Sequence, residues 1–209
     1  MALHLYEDEL LTRPLSEGDL SAPDVAVVDG AAGTGSDKTL YLAAEHTVLA
    51  EALAAGSTVL ALRDTGRFRD GDTVLVEAEQ MLILEGGGTA RPAVRRGHNG
   101  TERLPHAAGV RAAPACRYLL LGIQGIEVSE AQTAPAPWCR LAYTEEGLDA
   151  ALPGAALTAP PDSDPVVIQQ NQHLCFRRRI LCPPGTPVQL RRDIKWRVWG
   201  LELPLIPPY

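Results

Sequence analysis

Two histidines, His98 and His106, stand eight residues apart and are the first side chains whose type invites a chemical reading. A zinc shell needs further ligands, and no carboxylate or thiol stands at a spacing that supplies one. His173 lies near Cys175, as a thiol–imidazole nucleophile would require, but no activating base or oxyanion loop accompanies them. Cys116, Cys139, Cys175 and Cys182 form no CxxC pair and read as buried apolar thiols. The stretch GAAGTGSDKT (30–39) has the glycines of a phosphate loop but places Asp37 before Lys38. A carboxylate then stands where backbone amides should wrap phosphate, so the segment reads as a linker. Asn99-Gly100-Thr101 fits a glycosylation acceptor, yet Glu7, Asp8 and Glu9 occupy the place where a secretion signal is basic and then apolar. Export is not expected, and the tripeptide reads as a tight turn. There is no GxSxG, no HExxH and no strand-end carboxylate pair. Catalysis, a metal site and a cofactor are therefore not expected.

The cationic residues suggest contacts rather than chemistry. Arg177, Arg178, Arg179, Arg191 and Arg192 could meet phosphates, but the chain carries a formal charge of −7 and no aromatic platform alternates with them. Nucleic acid is not expected as a partner. Nor is a membrane, since no apolar run approaches the length of a spanning helix. Charge is divided along the chain: residues 1–110 hold 17 acidic and 9 basic residues, and residues 111–209 hold 9 and 10. An acidic head and a basic tail can attract each other between subunits, while two solvated faces form the plain alternative. The five arginines, with Leu3, Leu5, Leu10 and Leu11 of the head, are the candidate assembly contacts. Trp138 and Trp199 are candidates for stacking on a sugar, whereas the alternation Ile194, Trp196, Val198 places Trp196 in a core.

These residues need a scaffold, and 19 Gly with 17 Pro argue for short strands and turns rather than a helical bundle. Residues 1–45 lack sustained apolar periodicity and read as an extended arm, with one short strand at Val25–Val28, lying on a neighbouring subunit or on the chain itself. Residues 46–112 read as a small β unit. Strands are expected at 57–64, 72–86 and 90–97, with turns at Asp70-Gly71 and Gly86–Gly88 and a hairpin at Asn99-Gly100. The spacing of Val48, Leu49, Ala52 and Leu53 allows a helix over 46–56. Residues 113–209 read as an antiparallel, sandwich-like β domain. A strand over 117–130 carries a bulge at its glycines, a short helix falls at 144–152, and three strands precede the extended tail LPLIPPY. The whole is mainly β.

Within EAEQMLILEGGGTARPAVRRGHNGTERLPHAAGVRA the fixed positions Glu79, Met81, Arg96, Gly97, Gly100, Thr101, His106 and Gly109 occur in an order that resembles a small β module common in tailed-phage virion proteins. In that pattern a strand with Glu-x-Met and a Gly turn precede Arg-Gly-x-x-Gly-Thr, four variable residues and His-x-x-Gly. The resemblance covers about residues 57–112 and implies a building block without an active site. Asn99-Gly100 permits a tight reversal at positive φ, Thr101 caps it through its hydroxyl, and His106 anchors the loop before Gly109. It implies a structural subunit of a phage tail, tail-tip or baseplate complex, or of a related particle, that joins rings or tethers fibres. Its partners would be other virion proteins and further copies in a ring, in a virion assembled in the bacterial cytoplasm. A head decoration or head–tail connector protein is one alternative, and a carbohydrate-binding module for host surface sugars is another.

Overall fold

A computed structural model describes residues 3–16, 21–64, 68–129, 132–159, 165–169, 172–189 and 191–205. In chain order its elements are β1 (Leu3–Tyr6), β2 (Gly35–Ala44), β3 (Thr47–Val48), β4 (Thr73–Val76), β5 (Glu79–Glu85), β6 (Ala93–Arg95), β7 (Arg111–Pro114), β8 (Cys116–Val128), β9 (Thr133–Pro135) and β10 (Cys139–Ala142). Helix α1 (Glu145–Ala150) follows, then β11 (Val167–Gln169), β12 (His173–Leu181) and β13 (Ile194–Pro204). The protein is mainly β, and every strand pairing is antiparallel.

Two sheets form a sandwich. One has the order β1-β2-β12-β10, and the other has β11-β8-β13 with β9 also on β8. Their facing sides share a core in which Leu40, Leu42, Phe176 and Leu141 of the first sheet meet Tyr118, Leu120 and Ile123 of the second. Alternation along each strand sends one set of side chains into this layer and the next set outward. A third sheet, β3-β7-β4-β5-β6, has its own core of Leu49, Leu60, Val74, Val76, Met81, Ile83 and Val94. This sheet draws its strands from residues 47–114 and is closed by β7.

The N-terminal region differs from the expected arm. Leu3 and Leu5 are buried on β1, which pairs with β2, and Leu11 and Leu15 are buried nearby, all within their own chain. Leu10 alone of the proposed apolar contacts is largely exposed, at 79%. The stretch 30–39, read as linker, contributes residues 35–39 to a ten-residue strand, Gly35–Ala44, paired on both sides. Lys38 disguised its pattern: Lys38, Leu40 and Leu42 share the inward face, and the cation at one end masks the alternation. Val25–Val28 forms no strand. Glu17 and Asp19 of the acidic head lie outside the described residues, as do Arg67 and residues 206–209 of the tail.

Other differences are local. Residues 46–56 are extended: Thr47 pairs with Ala112, and Leu49 and Leu53 bridge Leu62 and His106. Cross-strand burial outweighs helix periodicity in so short a segment. The segment 57–64 buries Leu60 and Leu62 but joins the sheet only through isolated bridges. The strand expected over 72–86 is a hairpin, β4 to β5, reversing at Glu77, whose φ is 54°. Helix α1 lies where the sequence placed one and is capped by the Thr144 hydroxyl, which accepts from Gly147 N at 3.1 Å. The bulge expected in β8 is present: Leu120 and Gly122 pair with adjacent residues Gly200 and Trp199, so Leu121 is the extra residue.

Candidate functional site

The fixed residues of the Glu-x-Met to His-x-x-Gly pattern converge at the start of β5. Glu79 is fully buried, and Arg96 and His106 are almost so. Arg96 donates from Nε to Glu79 Oε1 at 2.7 Å and from Nη2 to Glu79 Oε2 at 2.6 Å. It also donates from Nη1 to Ala54 O at 2.7 Å and from Nη2 to Leu104 O at 2.5 Å. The amides of Gly97 and Leu104 donate to the same carboxylate. His106 spans two acids, with Nε2 2.9 Å from Glu79 Oε2 and Nδ1 2.6 Å from Glu77 Oε2. Burial alone would raise the Glu79 carboxyl, but the hydrogen bonds from Arg96, His106, Leu104 N and Gly97 N hold it down at about 2. Every lone-pair direction of this carboxylate is used within the fold.

The sequence folds this way because the connection 96–110 contains no strand and cannot satisfy its own backbone. Arg96 enters from the end of β6, Glu79 from the start of β5, and His106 from the loop, so the ionic cluster ties the connection to the sheet. The turn at Asn99-Gly100 is a one-turn 3-10 segment, His98–Gly100, and not a hairpin: β6 and β7 do not pair with each other. Asn99 and Gly100 do have the expected positive φ, 55° and 78°. The Thr101 hydroxyl accepts from Gln80 N at 2.9 Å and donates to His98 O at 2.9 Å. Asn99 Nδ2 donates to Gln80 Oε1 at 2.7 Å. Gly109, with φ 83°, brings its amide to Leu49 O at 2.8 Å. Glu77 and Gln80 belong to the cluster without having been singled out in the sequence. Their adjacency to Glu79 in a strand-start position was the available signal.

A second ionic cluster lies between the sandwich sheets. Arg178 is fully buried on β12 and grips Asp24, donating from Nε to Oδ2 at 2.9 Å and from Nη2 to Oδ1 at 2.8 Å. Its remaining donors reach Ser36 O and Val25 O. Lys38 on β2 pairs with Asp24 at 3.0 Å and also with Glu7, and Trp196 Nε1 on β13 donates to Asp24 Oδ2 at 3.3 Å. Burial pushes the Asp24 carboxyl up, but the Arg178 and Lys38 contacts outweigh it and leave the group below its ordinary value. No local pattern reveals this partnership, since Asp24 and Arg178 are 154 positions apart.

The structure redistributes the other candidates. Arg177 pairs with Glu145, Arg179 with Asp37 and Asp149, and Arg191 with Glu127 and Asp193. These arginines, like Arg178, bind acids of their own chain, and Arg192 is exposed. Trp138, in the turn between β9 and β10, and Trp199, on β13, are half-buried and each has an arginine over its ring, Arg191 at 4.7 Å and Arg197 at 5.4 Å. Cys116 and Cys139 are buried, and burial pushes both thiols up to about 11, away from thiolate reactivity. Cys175 is exposed and separate from them. Among the described residues no group of three or more His, Cys, Asp or Glu is placed to hold a metal ion.

The two clusters match the buried charges of Glu79 with Arg96 and of Asp24 with Arg178 and fasten segments of a mainly β protein together. No family model, curated protein or solved structure matches the chain.

Proposed function

We propose that this chain is a structural subunit of a phage tail, tail-tip or baseplate complex, or of a related phage-like particle, and that it has no catalytic role. The observation that carries this reading is the convergence of Glu79, Arg96, Gly97 and His106, ordered positions of the virion-module pattern, on one saturated network, with Thr101 fastening the adjoining turn to Gln80. A reactive site would leave an acid, base or nucleophile open to a substrate. Here the recurrent residues spend their hydrogen bonds on a strandless connection, as a building block requires. The chain would join rings or tether fibres through surfaces other than Leu3, Leu5, Leu11 and Leu15, which are buried within their own chain. Oligomerisation with further copies and contact with other virion proteins follow from the same reading.

Particles released from the bacterium that carries the gene provide the test. After density-gradient purification, an antibody against this chain should label one fixed position on the tail by immunogold electron microscopy. Absence of the chain from purified particles, with the protein recovered only in the soluble cell fraction, would overturn the proposal.

A further inference from the structure

Strand β13 has β8 on one side and, among the described residues, no strand on the other, although it runs for 11 residues. Among the described residues the alternate backbone N–H and C=O groups along that margin meet no backbone partner, so an added strand can pair with them. The side chains beside this edge are not neutral. Ile194, Trp196 and Val198 point toward the core, so Lys195, Arg197, Trp199 and Leu201 point outward. The outward face continues onto β8 with Arg117 and the bulged Leu121. Leu121 and Leu201 are 44% and 51% exposed. A Cβ at Gly122 would lie 2.4 Å from the Trp199 ring, so the glycine gives the indole a flat seat on this face. Arg117 Nε is buried without a hydrogen-bond partner. At the outward positions of β8, β11 and β13 there is no Asp or Glu, in a chain whose formal charge is −7.

We propose that the free edge of β13 accepts, by strand addition, an extended acidic segment of another protein in which Glu or Asp alternates with apolar residues. Main-chain pairing supplies the docking, and the acids meet Lys195, Arg197 and Arg117. A second copy of this chain is the poorer occupant. The outward positions of β13 itself are basic or apolar, the flanking Asp193 is bonded to Arg191, and Glu202 stands at an inward-parity position opposite Tyr118, so self-pairing is the poorer source of carboxylates for these cations. The proposal is independent of the particle assignment.

The test uses the full chain and a fluorescein-labelled synthetic peptide alternating Glu and Val, read by fluorescence anisotropy. Saturable binding is expected, weakened about tenfold or more when Lys replaces Glu in the peptide and when the chain carries Lys195→Glu with Arg197→Glu. The chain variant should keep its melting temperature, because these side chains face solvent. A peptide N-methylated at alternate residues keeps its charges but loses its donors, and should not bind. Equal binding of the N-methylated peptide, equal binding of the Lys peptide, or no saturable binding would each overturn the proposal. So would a dimer in sedimentation velocity that blocks the Glu–Val peptide and persists in the Lys195→Glu, Arg197→Glu chain.

Discussion

Glu79 and Arg96 show how a buried charge is made tolerable, and they make the sharpest residue-level predictions. Neither has access to water, so removing one leaves the other uncompensated in a low-dielectric site. Arg96→Met is expected to lower stability by about 3–5 kcal/mol in urea unfolding. The paired change Glu79→Leu with Arg96→Met should cost less than the sum of the two single changes, since neither charge is left without the other, although the Gly97 and Leu104 amides and the His106 ring lose their acceptor. The same pair sets an acid limit. The Glu79 carboxyl is depressed from an ordinary value of 4.5 to about 2, so its contribution is fully present above about pH 4.5. That contribution is lost as pH falls toward 2, because the unfolded chain takes up the proton first. Urea midpoints measured between pH 5 and 2 should fall in the wild type, and the Glu79→Leu, Arg96→Met chain should show a shallower decline.

At the scale of elements, the turn after β6 and the first strand carry the argument. Gly97 and Gly100 both have positive φ, 64° and 78°, but their surroundings differ. A Cβ at Gly100 meets open space, whereas one at Gly97 would stand 2.9 Å from Thr101 O. Gly100→Val is therefore expected to cost about 1–3 kcal/mol through backbone strain alone, and Gly97→Val to cost more through the added clash. Comparing their denaturation midpoints checks the order. Strand β1 gives a different prediction from the one its composition invites. Leu3, Leu5 and Leu15 sit in the sandwich core, so deleting residues 1–15 should lower the melting temperature of the monomer itself. An unchanged melting temperature would return these residues to the role of an arm.

For the molecule as a whole, the decisive feature is connectivity. Strands β1 and β2 precede the small β unit and β8 to β13 follow it, yet they build one sandwich. The unit is an insertion whose two ends meet, because Thr47 and Ala112 are cross-strand partners. It has a core of its own. Replacing residues 46–114 by a short Gly-Ser linker should leave the sandwich folded, with its near-ultraviolet circular dichroism and a cooperative thermal transition retained. The excised unit, residues 46–114, should likewise unfold cooperatively. Loss of cooperativity in both pieces would show that the two cores depend on each other.

The sequence by itself determined what is local. Alternation placed β13, an apolar run broken by Gly122 and Gly125 placed β8 and its bulge, the stretch 144–152 placed α1, and Asn99-Gly100 marked a left-handed turn. The pattern that carried the resemblance contains Glu79, Arg96 and His106, which lie together in the first ionic cluster, because a motif confined to about 30 residues keeps its members near in the chain. Only the tertiary structure decided the rest. Strand β2 needed β1 and β12 on either side to make Lys38, Leu40 and Leu42 a coherent face. Asp24 found Arg178 across most of the chain, and loop-closure entropy rises so slowly with separation that spacing carries no trace of such a partnership. Acids and bases of the two halves meet within the chain, as Asp24 meets Arg178, because Leu3, Leu5 and Leu15 bury their apolar surface in the sandwich and hold the N-terminal region against it.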